Sequence, residues 1–399
     1  SSTIRRPAVN RPFLGEKKEI ELYEQISVAT RRASHKISEK EQAIIMQTVD
    51  QLQDLDDSDR KMRWLRVIQS EVLYPLVKVY NRPPVFDNFA VNNDTLQLVK
   101  QKDFDHFVDR TCQVECLLHI FHGFLGDLNI QHPLVEKFVW TVSCNYNDNP
   151  YHNFTHAFSI TQMLFSMGHY TDGFSAHIEK FDFFVLLIAA LGHDLDHPGV
   201  TNAFMIASGH ELAQRYNDTS VLENHHVATL FKVFEMPGCQ MFSHLSSEIR
   251  GKLRKMLISC IMSTDMATHG VVLQTFTNSM PNYSKTNATH RQTVLNMLLH
   301  SADVGNPTLK FELAKKWSFC ILEEFTTQVA KETHLSLPVT EFMRIAGDLE
   351  KIRNNQTGFI DVLVLPLFKA IDTHMPQLKE FTRSAEENRE IWKGITGLC

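Results

Sequence analysis

Residues 181–199 read FDFFVLLIAALGHDLDHPG. The apolar run Phe183–Leu191 is nine residues long, less than half of the roughly 20 that a membrane-spanning helix needs. It has the composition of a helix buried on every side. Such a helix delivers His193 and Asp194 into the interior at its C-terminal end, and Pro198-Gly199 then stops it. Buried imidazole and carboxylate side by side are costly unless they are paired or hold a metal. His197 follows His193 by four residues. The plain alternative is a His–Asp pair that caps a helix end.

Working outward, the chain reads as helix after helix. Phe104–Leu125, His156–His169, Asn224–Phe234, Ser247–Ser263, His290–Ser301, Leu309–Gln328, Thr340–Asn354 and Phe359–Ile371 all carry apolar residues at steps of three and four. No stretch alternates at two residues for long. The expected fold is all-α, a compact multi-helix domain with a helical N-terminal extension. Asn81-Arg82-Pro83-Pro84 is a breaker, so residues 1–80 are expected to be a helical extension or linker and 81–399 the main domain. In the extension, Ser38-x-x-Glu41 predicts the start of a helix carrying Ile45, Val49, Leu52 and Leu55. The acidic run Asp54–Asp59 lacks the glycine and bidentate glutamate of a calcium loop and reads as a solvated junction. Thr277–Thr289 reads as the longest polar loop.

Bulk properties exclude several classes. The 399 residues are 43% hydrophobic and 22% charged, so a large core is available and wholesale disorder is not expected. Net charge is −6, which argues against nucleic acid as a partner, because such binding needs a basic footprint. The N-terminus, SSTIRRPAVN, has neither a secretory apolar stretch nor an initiator Met. Upstream regulatory segments are therefore expected in a longer protein, and a homodimer is left open. Seven scattered cysteines read as reduced thiols of a cytoplasmic protein.

Histidine is the compositional anomaly, at 20 residues. In Tyr151-His152-Asn153-Phe154-Thr155-His156, two histidines share one helix face. His300-Ser301-Ala302-Asp303 follows an apolar helix, and Glu223, Thr264 and Asp265 sit in apolar surroundings. His156, His193, Asp194 and Asp303 together offer two imidazoles and two carboxylates, a set that suits zinc with open water positions. A second, harder ion would share Asp194 and take mostly water. Two ions about 4 Å apart activate a water and clamp a phosphoryl group.

The order His…His-Asp…Asp resembles that of the HD metal-dependent phosphohydrolases. The strings YHNFTHA, HDLDHPG, SVLENHH, MSTDM, HSADVGNP and NQTGFID, in that order, closely resemble the class I 3′,5′-cyclic nucleotide phosphodiesterases over roughly residues 85–385. The resemblance implies that His156, His193, Asp194 and Asp303 bind zinc. Asp194 would bridge to a second ion, usually magnesium, with manganese as its substitute. His197, Glu223, Thr264 and Asp265 would hold the waters of that ion. His152, free of ligand duty, would be the general acid for the departing O3′, with Glu223 bonded to its other nitrogen.

The resemblance also implies a purine pocket. Gln356 would bond the purine edge, Phe359 would stack on its face, and Ile321 would form the opposite wall. Tyr151 joins the substrate-binding set, and Met343, on the helix before Gln356, supplies an adaptable wall. Asn306-Pro307 is similar to the pattern of cAMP-preferring members, which favours cAMP, with cGMP also open. Thr357, Asn355 and the small Ala314 depart from the family pattern and would reshape the pocket. The expected activity is hydrolysis of cyclic nucleotides to 5′-monophosphates, ending their signals. Two other readings stay open on sequence: an HD hydrolase for another phosphoester, and a catalytically dead cyclic-nucleotide sensor.

Overall fold

The computed structural model describes residues 91–345 and 347–397, which belong to one compact unit. The expected helix from Ser38, the run Asp54–Asp59 and Cys399 lie outside the described residues. Among the described residues every regular element is helical, as expected.

The first helices are α1 (Asn93–Val99), α2 (Arg110–Leu128) and α3 (His132–Cys144). The middle of the chain gives α4 (Phe154–Tyr170), α5 (Lys180–Gly192), the short α6 (Asn202–Ala207) and α7 (Glu211–Arg215), and α8 (Val221–Glu235). Next come α9 (Ser247–Met262), α10 (His269–Ser279) and α11 (Ala288–Asp303). The last are α12 (Phe311–His334), α13 (Leu349–Phe359), α14 (Leu365–His374) and α15 (Lys379–Gly394).

α5 is the axis of the unit. Every side chain from Phe183 to Leu191 is buried. α2, α4, α8, α9 and α11 all pack on it, so no face is left for water. At its C-terminal end the backbone approaches α8 so closely that a Cβ on Gly192 would lie 2.9 Å from Leu230 Cδ1. That close approach fixes where His193 and Asp194 emerge. Leu187 is fully buried within this axis. Leu187→Ala is expected to cost about 2–5 kcal/mol through lost transfer energy and a residual cavity. A denaturant titration checks this as a lower midpoint.

Among the helix boundaries that differ from the sequence expectation, three have a visible local cause. The helix expected from Phe104 begins at Arg110, because the Asp109 carboxylate accepts from Cys112 N and caps it there. The helix expected over Thr340–Asn354 is broken. Glu341–Met343 forms a 3₁₀ turn, Gly347 takes φ +78°, and Asp348 caps α13. Met343 therefore reaches the site from a turn rather than a helix. Phe359–Ile371 passes through a π-helical segment, Ile360–Val364. Pro366 lacks the N–H an α-helix would use there, and the wider turn absorbs the loss. The expected loop Thr277–Thr289 is shorter, since α10 runs to Ser279 and α11 starts at Ala288.

Candidate active site

Three helix ends bring the four expected ligands together. His156 lies in the first turn of α4, where the Asn153 side chain caps the helix by accepting from His156 N at 3.1 Å. His193 ends α5, with Asp194 next to it, and Asp303 is the last residue of α11. His156 Nε2 and His193 Nε2 each stand 3.1 Å from Asp303 Oδ1. Asp194 Oδ2 stands 3.2 Å from His193 Nε2 and 3.5 Å from His156 Nε2.

These separations test the fit of a cation. Donors about 2.0–2.2 Å from one ion and 90–110° apart are about 2.9–3.6 Å from each other. All four separations fall in that window. The donor chemistry agrees. His193 Nδ1 lies 2.8 Å from Ala190 O, so it carries the proton and leaves Nε2 with a lone pair aimed at the cluster. Asp194 Oδ2 is buried without a hydrogen-bond partner. Burial opposes charge on His193, but Asp194 and Asp303 outweigh it and hold its proton well above the ordinary range. A cation held by the four atoms would take the place of that proton, because a ligating imidazole nitrogen must be deprotonated.

A second group of donors adjoins the first. Asp194, His197 and His226 bring ligand-type atoms within 4.8 Å of one another. Gly199 N donates to His197 Nδ1 at 3.0 Å, so His197 is neutral and its Nε2 carries a proton. A protonated Nε2 donates to a water rather than binding a cation, which suits the expected water-holding role. Thr264, Asp265 and Glu223 line the same cleft. Asp265 is held there by Ser220 Oγ at 2.6 Å and by Ala267 N at 2.9 Å. Burial pushes the Glu223 carboxyl up to about 7.

The partner of His152 is a correction. Glu223 was expected to bond its second nitrogen, but both Glu223 oxygens are taken by Asn202 Nδ2, at 2.9 and 3.2 Å. His152 Nδ1 instead bonds Glu324 Oε1 on α12. Tyr151 N and His152 N both donate to Glu324 Oε2 at 3.1 Å. Burial alone would lower the His152 pKa, but the Glu324 carboxylate carries it up to about 9. Burial opposes charge on Glu324 as well, yet His152 holds it down at about 2. Nδ1–H therefore belongs to Glu324, and Nε2–H remains to give away. A sequence signal did exist: Trp317, Ile321, Glu324, Phe325 and Gln328 follow one α-helical face, so Glu324 is an acid on a stripe of pocket residues.

The cleft has a volume of about 490 Å³, within the usual range for a small-molecule site. Its lining includes Tyr151, His152, Asp194, Asp303, Asn306, Ile321, Met343, Gln356 and Phe359. His156 and His193 are fully buried behind it. Asn306 Nδ2 donates to the Tyr151 hydroxyl at 2.8 Å. Sequence reasoning missed Ser318, whose hydroxyl donates to Gln356 Oε1 at 2.7 Å. Gln356 Nε2 also reaches Asn355 Oδ1 at 3.2 Å.

The comparisons with known proteins agree with this geometry. The family model for 3′,5′-cyclic nucleotide phosphodiesterase matches residues 151–385, the span that holds every residue of the cleft named above. The chain belongs to this family. Mouse high affinity cGMP-specific 3′,5′-cyclic phosphodiesterase 9A is 33% identical over 321 residues, covering 79% of this chain and 59% of the relative. The fruit-fly 3′,5′-cyclic-AMP phosphodiesterase, isoform F, is 36% identical over 271 residues, or 65% of this chain and 40% of the relative. The chain thus spans about half the length of such relatives. Among solved structures, the phosphodiesterase domain of Salpingoeca rosetta rhodopsin phosphodiesterase superposes with a TM-score of 0.71 at 32% identity. That match covers 77% of this chain and 94% of the other. No single described helix is long and apolar enough to cross a membrane.

Proposed function

We propose that this phosphodiesterase-family chain hydrolyses 3′,5′-cyclic nucleotides to nucleoside 5′-monophosphates and so ends cyclic-nucleotide signals. One observation carries the reading. A histidine held by a buried carboxylate stands beside a four-donor metal cluster, at the wall of a cleft that also holds Gln356 and Phe359. Zn²⁺ suits the four-donor cluster, and Mg²⁺ or Mn²⁺ suits the oxygen-rich side at Asp194. When bound, the two cations activate water at neutral pH and neutralise charge on the phosphoryl oxygens. The water oxygen bonds to phosphorus as the P–O3′ bond breaks, and His152 Nε2–H gives its proton to O3′. The Glu324 carboxylate accepts from Nδ1–H and keeps the ring doubly protonated, so that Nε2–H is present to be given. His197 Nε2–H donates into the site without competing for a cation.

For the base, the similarity of Asn306-Pro307 to the pattern of cAMP-preferring members supports cAMP as the favoured substrate, with cGMP also turned over. The six described cysteines are free thiols, which supports a cytoplasmic setting. An upstream regulatory domain in the full protein is part of the same proposal. Side-by-side kinetics on cAMP and cGMP test the reading. The expected result is 5′-monophosphate from both, with the larger kcat/KM for cAMP. No turnover of either by a metal-loaded chain would return the choice to a hydrolase of another phosphoester.

A pH profile tests the acid. His152 works while protonated, so the rate holds below its pKa and falls as pH rises through it. The Glu324 charge is what outweighs burial at His152. Glu324→Gln is therefore expected to move the alkaline fall to lower pH and to reduce kcat about 10–100-fold, as loss of such a supporting partner usually does. An alkaline limb that stays in place would assign it to another group.

A further inference from the structure

Outside the metal cluster and the purine pocket, one side chain touches both halves of the acid's surroundings. Asn149 lies in the loop before α4. Its Nδ2 donates to His152 O at 2.8 Å and to His197 O at 2.7 Å. A carboxamide nitrogen has two protons, and here each meets one carbonyl. Both acceptors are carbonyls, so the amide can face only one way. The two residues it joins are stacked, with the His152 and His197 rings 4.0 Å apart at 21°. The loop is braced from both sides. Asn153 Nδ2 donates to Asn149 O at 2.8 Å, and the same Asn153 caps the helix that presents His156. Asn147 Nδ2 gives His197 O a second donor at 3.0 Å. Gly199, at φ +68°, makes the room, since a Cβ there would lie 2.7 Å from Asn149 Oδ1.

We propose that Asn149 is a positioning residue that sets the general acid, clamping the backbone of His152 to that of His197 so that the acid's ring is held in register beside the metal cluster. The inference rests on the phosphodiesterase reading above. It is specific to the carboxamide: an aspartate has the same shape but only acceptors, and would oppose both carbonyls. It also separates proton donation from metal binding. No hydrogen bond joins Asn149 to any of the four clustered ligands, so its loss is expected to leave those ligands in place and to act chiefly on the aim of the proton.

The leaving group provides the test. Cyclic AMP expels an alkoxide that needs a proton, whereas bis(p-nitrophenyl) phosphate expels a stable phenolate that needs none. Asn149→Ala is expected to lower kcat on cAMP about 10–100-fold, the usual cost of a supporting contact, with KM and metal content unchanged. Turnover of the aryl diester should stay near the wild-type value. Asn149→Asp, with the native shape, should show the same split and carries the test if the alanine variant does not fold. An equal loss on both substrates, or no loss on either, overturns the proposal. A wild-type chain that cleaves the aryl diester but neither cyclic nucleotide overturns the functional reading instead, and the proposal with it.

Discussion

Asp194→Asn is expected to abolish turnover of both cyclic nucleotides, by about 10⁴-fold or more, the scale on which removing one member of a catalytic set is felt. Asp194 is the residue shared by both groups of donors. One oxygen belongs to the cluster with His156, His193 and Asp303, and the other stands 3.6 Å from His226 Nε2. Its carboxylate is held well below the ordinary range: burial opposes ionisation, but His193 outweighs it. An amide keeps the shape and loses the charge. Two cations would then share a site with one carboxylate fewer, and a buried arrangement of like charges does not persist. Metal analysis of the purified variant should show loss of both ions, and its fold should survive, because the axis helix α5 ends before this residue. Retention of both ions at wild-type occupancy would show that Asp194 does not bridge.

His152→Ala is the second large effect and has the opposite signature. General acids contribute about 10²–10⁴-fold, so kcat on cAMP should fall by that amount. Metal content should not fall, since His152 Nδ1 is committed to Glu324 and its Nε2 is not among the four clustered donors. The variant also leaves Glu324 without its main partner. That carboxylate keeps Tyr151 N and the backbone N of residue 152, which limits the cost to the fold. Aryl diesters should be spared, as for Asn149. If His152→Ala instead empties the site of metal, the acid and ligand roles must be exchanged.

Much of this account was legible in the sequence, and for a physical reason. The axis helix has no polar residue from Phe183 to Leu191, so burial on all sides follows from composition, and burial makes the next two residues, His193 and Asp194, chemically expensive unless they work. Asp303 follows an apolar helix in the same way, whereas His156 stands out in the sequence only as one of two histidines four apart, and the resemblance to the family joins them into one ligand set. Pairings across the chain were not legible in that way. His152 and Glu324 are 172 positions apart, and nothing local distinguishes Glu324 from Glu323 except the face it occupies on α12. Glu223 was the nearer acid in the familiar strings, and it proved to belong to Asn202. Ser318 was hidden for a related reason: its hydroxyl also reaches Ala314 O, at 2.9 Å, a local contact that makes a mid-helix serine look ordinary. The break at Gly347 was missed because the apolar spacing of 340–354 continues across it.

The central claim is hydrolysis of cyclic nucleotides through cations held by His156, His193, Asp194 and Asp303. The most direct measurement strips the protein with chelator, records its metal content, and follows hydrolysis of cAMP and cGMP before and after zinc and magnesium are restored. The account predicts that turnover to the 5′-monophosphate disappears with the metal and returns with it. Undiminished turnover by metal-free protein would contradict it.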